Sequence, residues 1–184
     1  MFLIIIELLL VLILSLFILL FIWEIFSHMK TKVPFIPVSG KVVARIVEEL
    51  KLKDGEKIYD LGCGDGRVLF ACKKSNNKVS CVGVEKAPIP LLWAWLRNFF
   101  SKKSDKIKVL NEDFFAVDLR EANKIFLYLF PEMMDKLFPK LEKELRKGVL
   151  AVSCDFQFFQ KKPREIIDLG REGKLCRKLY IYEF

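Results

Sequence analysis

The stretch "IYDLGCGDGRVLF", Ile58 to Phe70, decides the fold. A short apolar run ends on glycines at 62, 64 and 66, and a second apolar run follows at once. Glycine permits positive φ and close backbone approach, at an entropic cost that a plain loop has no need to bear. A tight strand-to-helix turn without a ligand is the plain alternative, and the flanking residues count against it. The third glycine of the dinucleotide fingerprint would have to be residue 67, which is Arg67. The phosphate loop of the nucleotide hydrolases needs a longer spacing and a lysine, and neither is present.

Acids surround the cradle. Asp60 precedes it and Asp65 lies inside it, an arrangement that repels phosphate and suits a ligand with an amino group and a positive centre. Glu85 closes the next apolar run, "VSCVGVE", and a carboxylate there can accept both hydroxyls of a ribose. Asp113 follows the third run in "VLNEDFFAVDL", where it can accept from an adenine amino group while Phe114 or Phe115 offers a ring face. A solvated strand end is the bland reading of each acid alone. Together they describe a nucleoside with a charged amino-acid tail.

Outward from the cradle, apolar runs at 57–61, 79–84, 106–110, 124–129 and 148–153 read as strands, and helix-length segments at 66–74, 88–101 and 131–146 separate most of them. Val42, Val43, Ile46, Val47 and Leu50 add an amphipathic helix ahead of the first strand. Strands alternating with helices predict a Rossmann-like, doubly wound α/β sheet built on right-handed crossovers. The rhythm breaks at the end: "REIIDLG" and "LCRKLYIYEF", separated by "REGK", predict a closing antiparallel hairpin. Residues 111–123 are too few for a helix with its loops, which leaves that face thinly covered.

The chain opens on a different chemistry. From Phe2 to Trp23 only Glu7 and Ser15 are polar, and a helix of that length would reach about 33 Å, enough to cross a hydrocarbon core. There is no basic region ahead of it and no small-residue cleavage site after it, which favours an uncleaved anchor over a signal peptide. The organisation expected is an anchor over 1–27, a linker with "PFIP" over 28–41, and one domain over 42–184. All 31 Lys and Arg residues follow the anchor with 21 of the 23 acids, a net +10. Lys30, Lys32 and Lys41 then place the N-terminus outside and the domain in the cytoplasm. Beside an anchor, that charge suits anionic lipid or an acidic partner better than nucleic acid. Cysteines 63, 72, 81, 154 and 176 are odd in number, lie mostly in apolar runs and lack metal-ligand spacing, so free buried thiols are expected and a metal site is not.

Asp60-x-Gly62-x-Gly64-x-Gly66, Glu85, Asp113 and the final hairpin resemble the seven-strand S-adenosylmethionine-dependent methyltransferases over residues 42–184. "VPFIP", "DLGCGDGRV", "LYLFPEMMDKLFPKLEKEL" and "GVLAVSCDF" are similar to the narrower family of lysine methyltransferases that act on the ATP synthase c-subunit and the adenine nucleotide carrier. The resemblance implies S-adenosylmethionine bound by Asp60, Gly62, Cys63, Gly64, Asp65, Gly66, Glu85, Asp113 and Phe114. It also implies a substrate slot of Phe35, Pro37, Phe130, Pro131 and Glu132, in which Glu132 either guides the amine or stabilises a helix N-terminus. "FQFFQKKP", ahead of the hairpin, departs from the family pattern. The implied partner is a protein with an accessible lysine at a membrane. A lipid headgroup or other small acceptor is the rival within the enzyme class, and a non-catalytic membrane adaptor the rival outside it. "LLWAWLRNFF", residues 91–100, either packs as core or meets the bilayer interface.

Overall fold

The computed structural model describes residues 2–31, 36–170 and 175–184, with the side chains of 24–31 outside that description. Helix α1 (Phe2–Thr31) is the apolar segment; it runs on past residue 27. The remaining elements are α2 (Gly40–Leu50), β1 (Lys57–Leu61), α3 (Arg67–Ser75), β2 (Ser80–Val84), α4 (Pro88–Phe100), β3 (Lys108–Leu110), β4 (Lys124–Leu127), α5 (Pro131–Glu144), β5 (Leu150–Cys154), β6 (Glu165–Asp168) and β7 (Lys178–Glu183). Ser39 caps α2 by accepting from the Val42 amide, and Pro88 and Pro131 open α4 and α5, where a missing N–H costs nothing.

The seven strands form one sheet in the order β3-β2-β1-β4-β5-β7-β6. The pairs from β3 through β5 are parallel, and β7 runs antiparallel to both β5 and β6. The expected closing hairpin is therefore present, although its turn, 171–174, lies outside the described residues. Strand order reverses between β1 and β4, which opens a crevice at their carboxyl ends where open α/β sheets take ligands.

Each face of the sheet is covered differently. Val42, Ile46 and Leu50 of α2 and Val68, Leu69 and Cys72 of α3 bury one face. On the other, Met134, Leu137, Phe138 and Leu141 of α5 are the helical contribution. The short 111–123 segment forms turns, and Val117, Leu119 and Ala122 from it fill the space that a helix would take. Phe158 completes this layer against Phe138, Tyr182 and Phe184, with ring centroids 4.9 to 6.1 Å apart.

The cysteine expectation needs correction. Cys63, Cys72 and Cys81 are free and buried, but Cys154 and Cys176 are joined, with Cα atoms 5.8 Å apart. They stand 22 residues apart in sequence. The antiparallel return of β7 beside β5 brings them together, and spacing along the chain could not show it.

Candidate functional site

One cavity of about 240 Å³ occupies the crevice at the carboxyl ends of β1, β2 and β4. Gly62, Gly64 and Gly66 all take positive φ, at 84°, 56° and 75°. The turn is tied down on β2, since the amides of Gly62 and Cys63 both donate to the Val84 carbonyl at 2.8 and 3.0 Å. A Cβ on Gly62 would come within 3.1 Å of Leu129, so glycine keeps the floor of the cradle open. Gly83, which the sequence did not single out, has a related duty. A Cβ there would meet Cys63 Sγ at 2.6 Å and Leu69 Cδ1 at 2.9 Å.

The cradle acids divide in character. Asp60 is buried, lines the cavity and has no ion pair among the described residues. Burial first, then the nearby Glu85 and Asp65 charges, push its carboxyl well above the usual range. Burial also acts to raise Asp65, but two guanidiniums outweigh it and hold its carboxyl below normal. Arg67 binds it through Nε at 2.9 Å and Nη2 at 2.8 Å, and Arg97 adds a contact at 3.1 Å. Asp65 lines the cavity, as expected of a cradle acid, but its carboxylate is paired with both guanidiniums, whereas Asp60 lines the same cavity with no ion pair among the described residues. Arg67 Nη1 also donates to the Val38 carbonyl at 2.7 Å, which holds Ile36, Pro37 and Val38 as a strap on the cavity rim.

Glu85 Oε2 accepts from the Gly64 amide at 2.9 Å, while Oε1 accepts from the amides of Lys86 and Ala87 at 2.9 and 2.7 Å. Each carboxylate oxygen has two acceptor positions, so Oε2 keeps one for a ligand hydroxyl. Across the mouth, Asp113 pairs with Lys86 Nζ at 3.1 Å, and Phe114 and Phe115 stand beside it with centroids 4.7 Å apart. Burial, followed by the Asp60 charge, pushes the Cys63 thiol well up, so it stays neutral.

At the other end the cavity is aromatic. Phe126, Tyr128, Phe130, Met133 and Phe156 line it, with the Phe156 ring 6.3 Å from Tyr128 and 5.6 Å from Phe130. Burial, then the Asp155 carboxylate, push the Tyr128 phenol up to about 12, and its hydroxyl donates to the Leu175 carbonyl. Of the residues expected in the substrate slot, Pro37 and Phe130 line the cavity. Pro131 opens α5 beside it, and Glu132 is exposed and paired with Lys136 at 2.7 Å. Phe35 lies outside the described residues. Gly64 and Gly66 shape the cradle from behind its lining.

These residues fit a nucleoside with a cationic tail: an open glycine floor, a buried carboxylate without a cation, a carboxylate with a vacant acceptor position, and ring faces at the mouth. The sheet order and this crevice define an S-adenosylmethionine-dependent methyltransferase of the seven-strand class. The ANTKMT methyltransferase domain matches residues 60–165, and the chain belongs to that family. A protein-lysine N-methyltransferase of Saccharolobus islandicus (strain REY15A) is 33% identical over 150 residues, spanning 82% of this chain and 92% of that protein. The ATP synthase c-subunit lysine N-methyltransferase of Mus musculus is 30% identical over 129 residues, or 70% of this chain and 51% of that one. Among solved structures, an RNA methyltransferase from Salinibacter ruber in complex with S-adenosyl-L-homocysteine superposes with a TM-score of 0.73 at 29% identity, covering 80% of this chain and 93% of that one.

Proposed function

We propose that this chain is a membrane-anchored protein-lysine N-methyltransferase whose substrate is a membrane or membrane-associated protein. One observation carries the reading: a single cavity joins the acidic cradle of Asp60 and Glu85 to the aromatic end formed by Tyr128, Phe130 and Phe156. The names of the relatives support a lysine acceptor. The length and apolar character of Phe2–Trp23 support the anchor.

S-adenosylmethionine supplies a methyl group on a sulfonium, and the transfer needs a neutral amine in line with it. Asp60 and Glu85 would hold the amino-acid tail and the ribose, Asp113 with Phe114 the adenine, and the glycines at 62, 64 and 66 would let the backbone come close. Rings at the far end would attract a lysine ammonium by cation–π contact, and their apolar surface would then favour its neutral form. Tyr128, held protonated, would act as a hydrogen-bonding wall and not as a base. The domain would face the cytoplasm, with basic residues following the anchor.

Purified chain in nanodiscs should bind S-adenosylhomocysteine in a calorimeter, and labelled S-adenosylmethionine added with membranes should mark protein at lysine by mass spectrometry. Label found in the lipid fraction would favour a headgroup amine instead. Cofactor binding without transfer to any fraction would favour an adaptor.

A further inference from the structure

Helix α4 has an outward face with no polar residue on it. Its sequence is Pro88-Ile-Pro-Leu-Leu-Trp-Ala-Trp-Leu-Arg-Asn-Phe-Phe100, in which Arg97 and Asn98 are the only polar side chains. Both are engaged with the body of the domain. Arg97 pairs with Asp65, and Asn98 exchanges two hydrogen bonds with the Ile107 backbone. Leu91 and Ala94 are buried on the inner side. Leu92, Trp93, Trp95, Leu96, Phe99 and Phe100 all point to the outside, with Trp93 59% and Phe100 80% exposed. At 100° per residue these six fill an arc of about 160°, far wider than a helix leaves apolar toward water.

Three features choose the occupant. Helix α1, the one membrane-length helix among the described residues, approaches α4. Exposed Lys102, Lys103 and Lys106 follow α4 directly, where they would meet phosphate headgroups. The face is rich in Trp and Phe, which settle at the boundary between headgroups and acyl chains. A protein-protein interface, by contrast, is depleted in lysine at its centre and selects no such basic margin.

We propose that the outward face of α4 lies in the headgroup layer of an anionic bilayer, as a second membrane contact beside α1. The proposal rests on the membrane-bound reading of the chain. It also sharpens that reading, because Pro90 of α4 and the preceding Lys86 and Ala87 line the cavity. Docking α4 would hold the cavity mouth at headgroup depth, so the accepted lysine is one presented at the membrane surface and not far out in the cytoplasm.

The three tryptophans of the chain provide the test. Full-length protein carrying Trp23→Phe reports on Trp93 and Trp95 alone, and Trp93→Phe with Trp95→Phe reports on Trp23 alone. Both are placed in vesicles of phosphatidylcholine and phosphatidylglycerol with bromine on the acyl chains. Docking predicts at least about twofold quenching of the Trp93 and Trp95 emission. It also predicts less quenching when phosphatidylglycerol is omitted or when Lys102, Lys103 and Lys106 are all changed to Gln. Quenched Trp23 with unquenched Trp93 and Trp95 overturns the docking of α4 while leaving the anchor intact. Unquenched but blue-shifted emission that depends on protein concentration overturns it in favour of a second copy. Quenching of Trp93 and Trp95 without that of Trp23 upholds docking and removes the anchor.

Discussion

Arg67 Nη1 donates to the Val38 carbonyl at 2.7 Å while the rest of its guanidinium grips Asp65. One side chain therefore binds the segment ahead of α2 to the glycine cradle. Arg67→Ala should release the strap and weaken S-adenosylhomocysteine binding about tenfold, a loss of roughly 1.4 kcal/mol. Arg67→Lys should restore little of it, because a lysine cannot serve two acceptors in one plane. Calorimetric titration of the three proteins measures this, and an unchanged affinity in Arg67→Ala would remove the strap from the binding argument.

Asp60 should trade stability for binding. Its pKa in the fold lies above the unfolded value, so its contribution to stability is complete below the unfolded pKa, near 3.9, and is lost as pH rises through the folded pKa. Asp60→Asn removes that loss and should raise the melting temperature at pH 8, with the gain shrinking as pH falls toward the unfolded pKa. The same change should abolish cofactor binding. In the unchanged protein, a cationic ligand lowers the Asp60 pKa, so affinity should climb with pH over that window and binding should release a proton, detectable as buffer-dependent heat. Destabilisation by Asp60→Asn at pH 8 would contradict this account.

Gly83 should be as sensitive as the glycines of the cradle. Gly83→Ala puts a methyl group against Cys63 Sγ and Leu69 Cδ1, and overpacking of that kind costs roughly 1–3 kcal/mol. Adding Cys63→Ala should recover part of the loss by removing the closer neighbour. Chemical denaturation of the two single variants and the double variant gives the coupling, and strict additivity would show that the two residues do not press on one another.

Tyr128 should not behave as a base. Its phenol is held up at about 12 by burial and then by Asp155, so it remains protonated through the range in which a lysine loses its proton. The methylation rate should rise with pH as the amine is deprotonated, and Tyr128→Phe should leave that rise in the same place while lowering kcat by about tenfold or less. A pH profile that shifts with Tyr128→Phe would make the phenol part of proton removal.

Much of the site was legible because its parts are local. Asp60, the glycines and Glu85 sit where strands end, and strand periodicity places those ends. What escaped was of two kinds. Arg97 is 32 residues beyond Asp65, yet it is the single charge in a helix whose one other polar side chain is Asn98, a signal that could have been weighed. Tyr128 and Phe156 reach the cavity from the segments just beyond the adjacent parallel strands β4 and β5, and nothing along the chain marks two aromatic residues as neighbours.

The sequence by itself determined the alternation of strands and helices, the antiparallel close, the apolar N-terminal helix and the exclusion of dinucleotide and phosphate loops. Each follows from periodicity or from the conformational demands of glycine, which act over a few residues. Only the tertiary structure decided which of the two cradle carboxylates is paired within the protein. That choice depends on where Arg67 and Arg97 point, and long cations find their partners through packing. The pairing of Cys154 with Cys176 and the exposure of α4 were decided in the same way. Both depend on which surfaces meet when β7 returns beside β5 and when α4 settles against the sheet with its apolar arc outward.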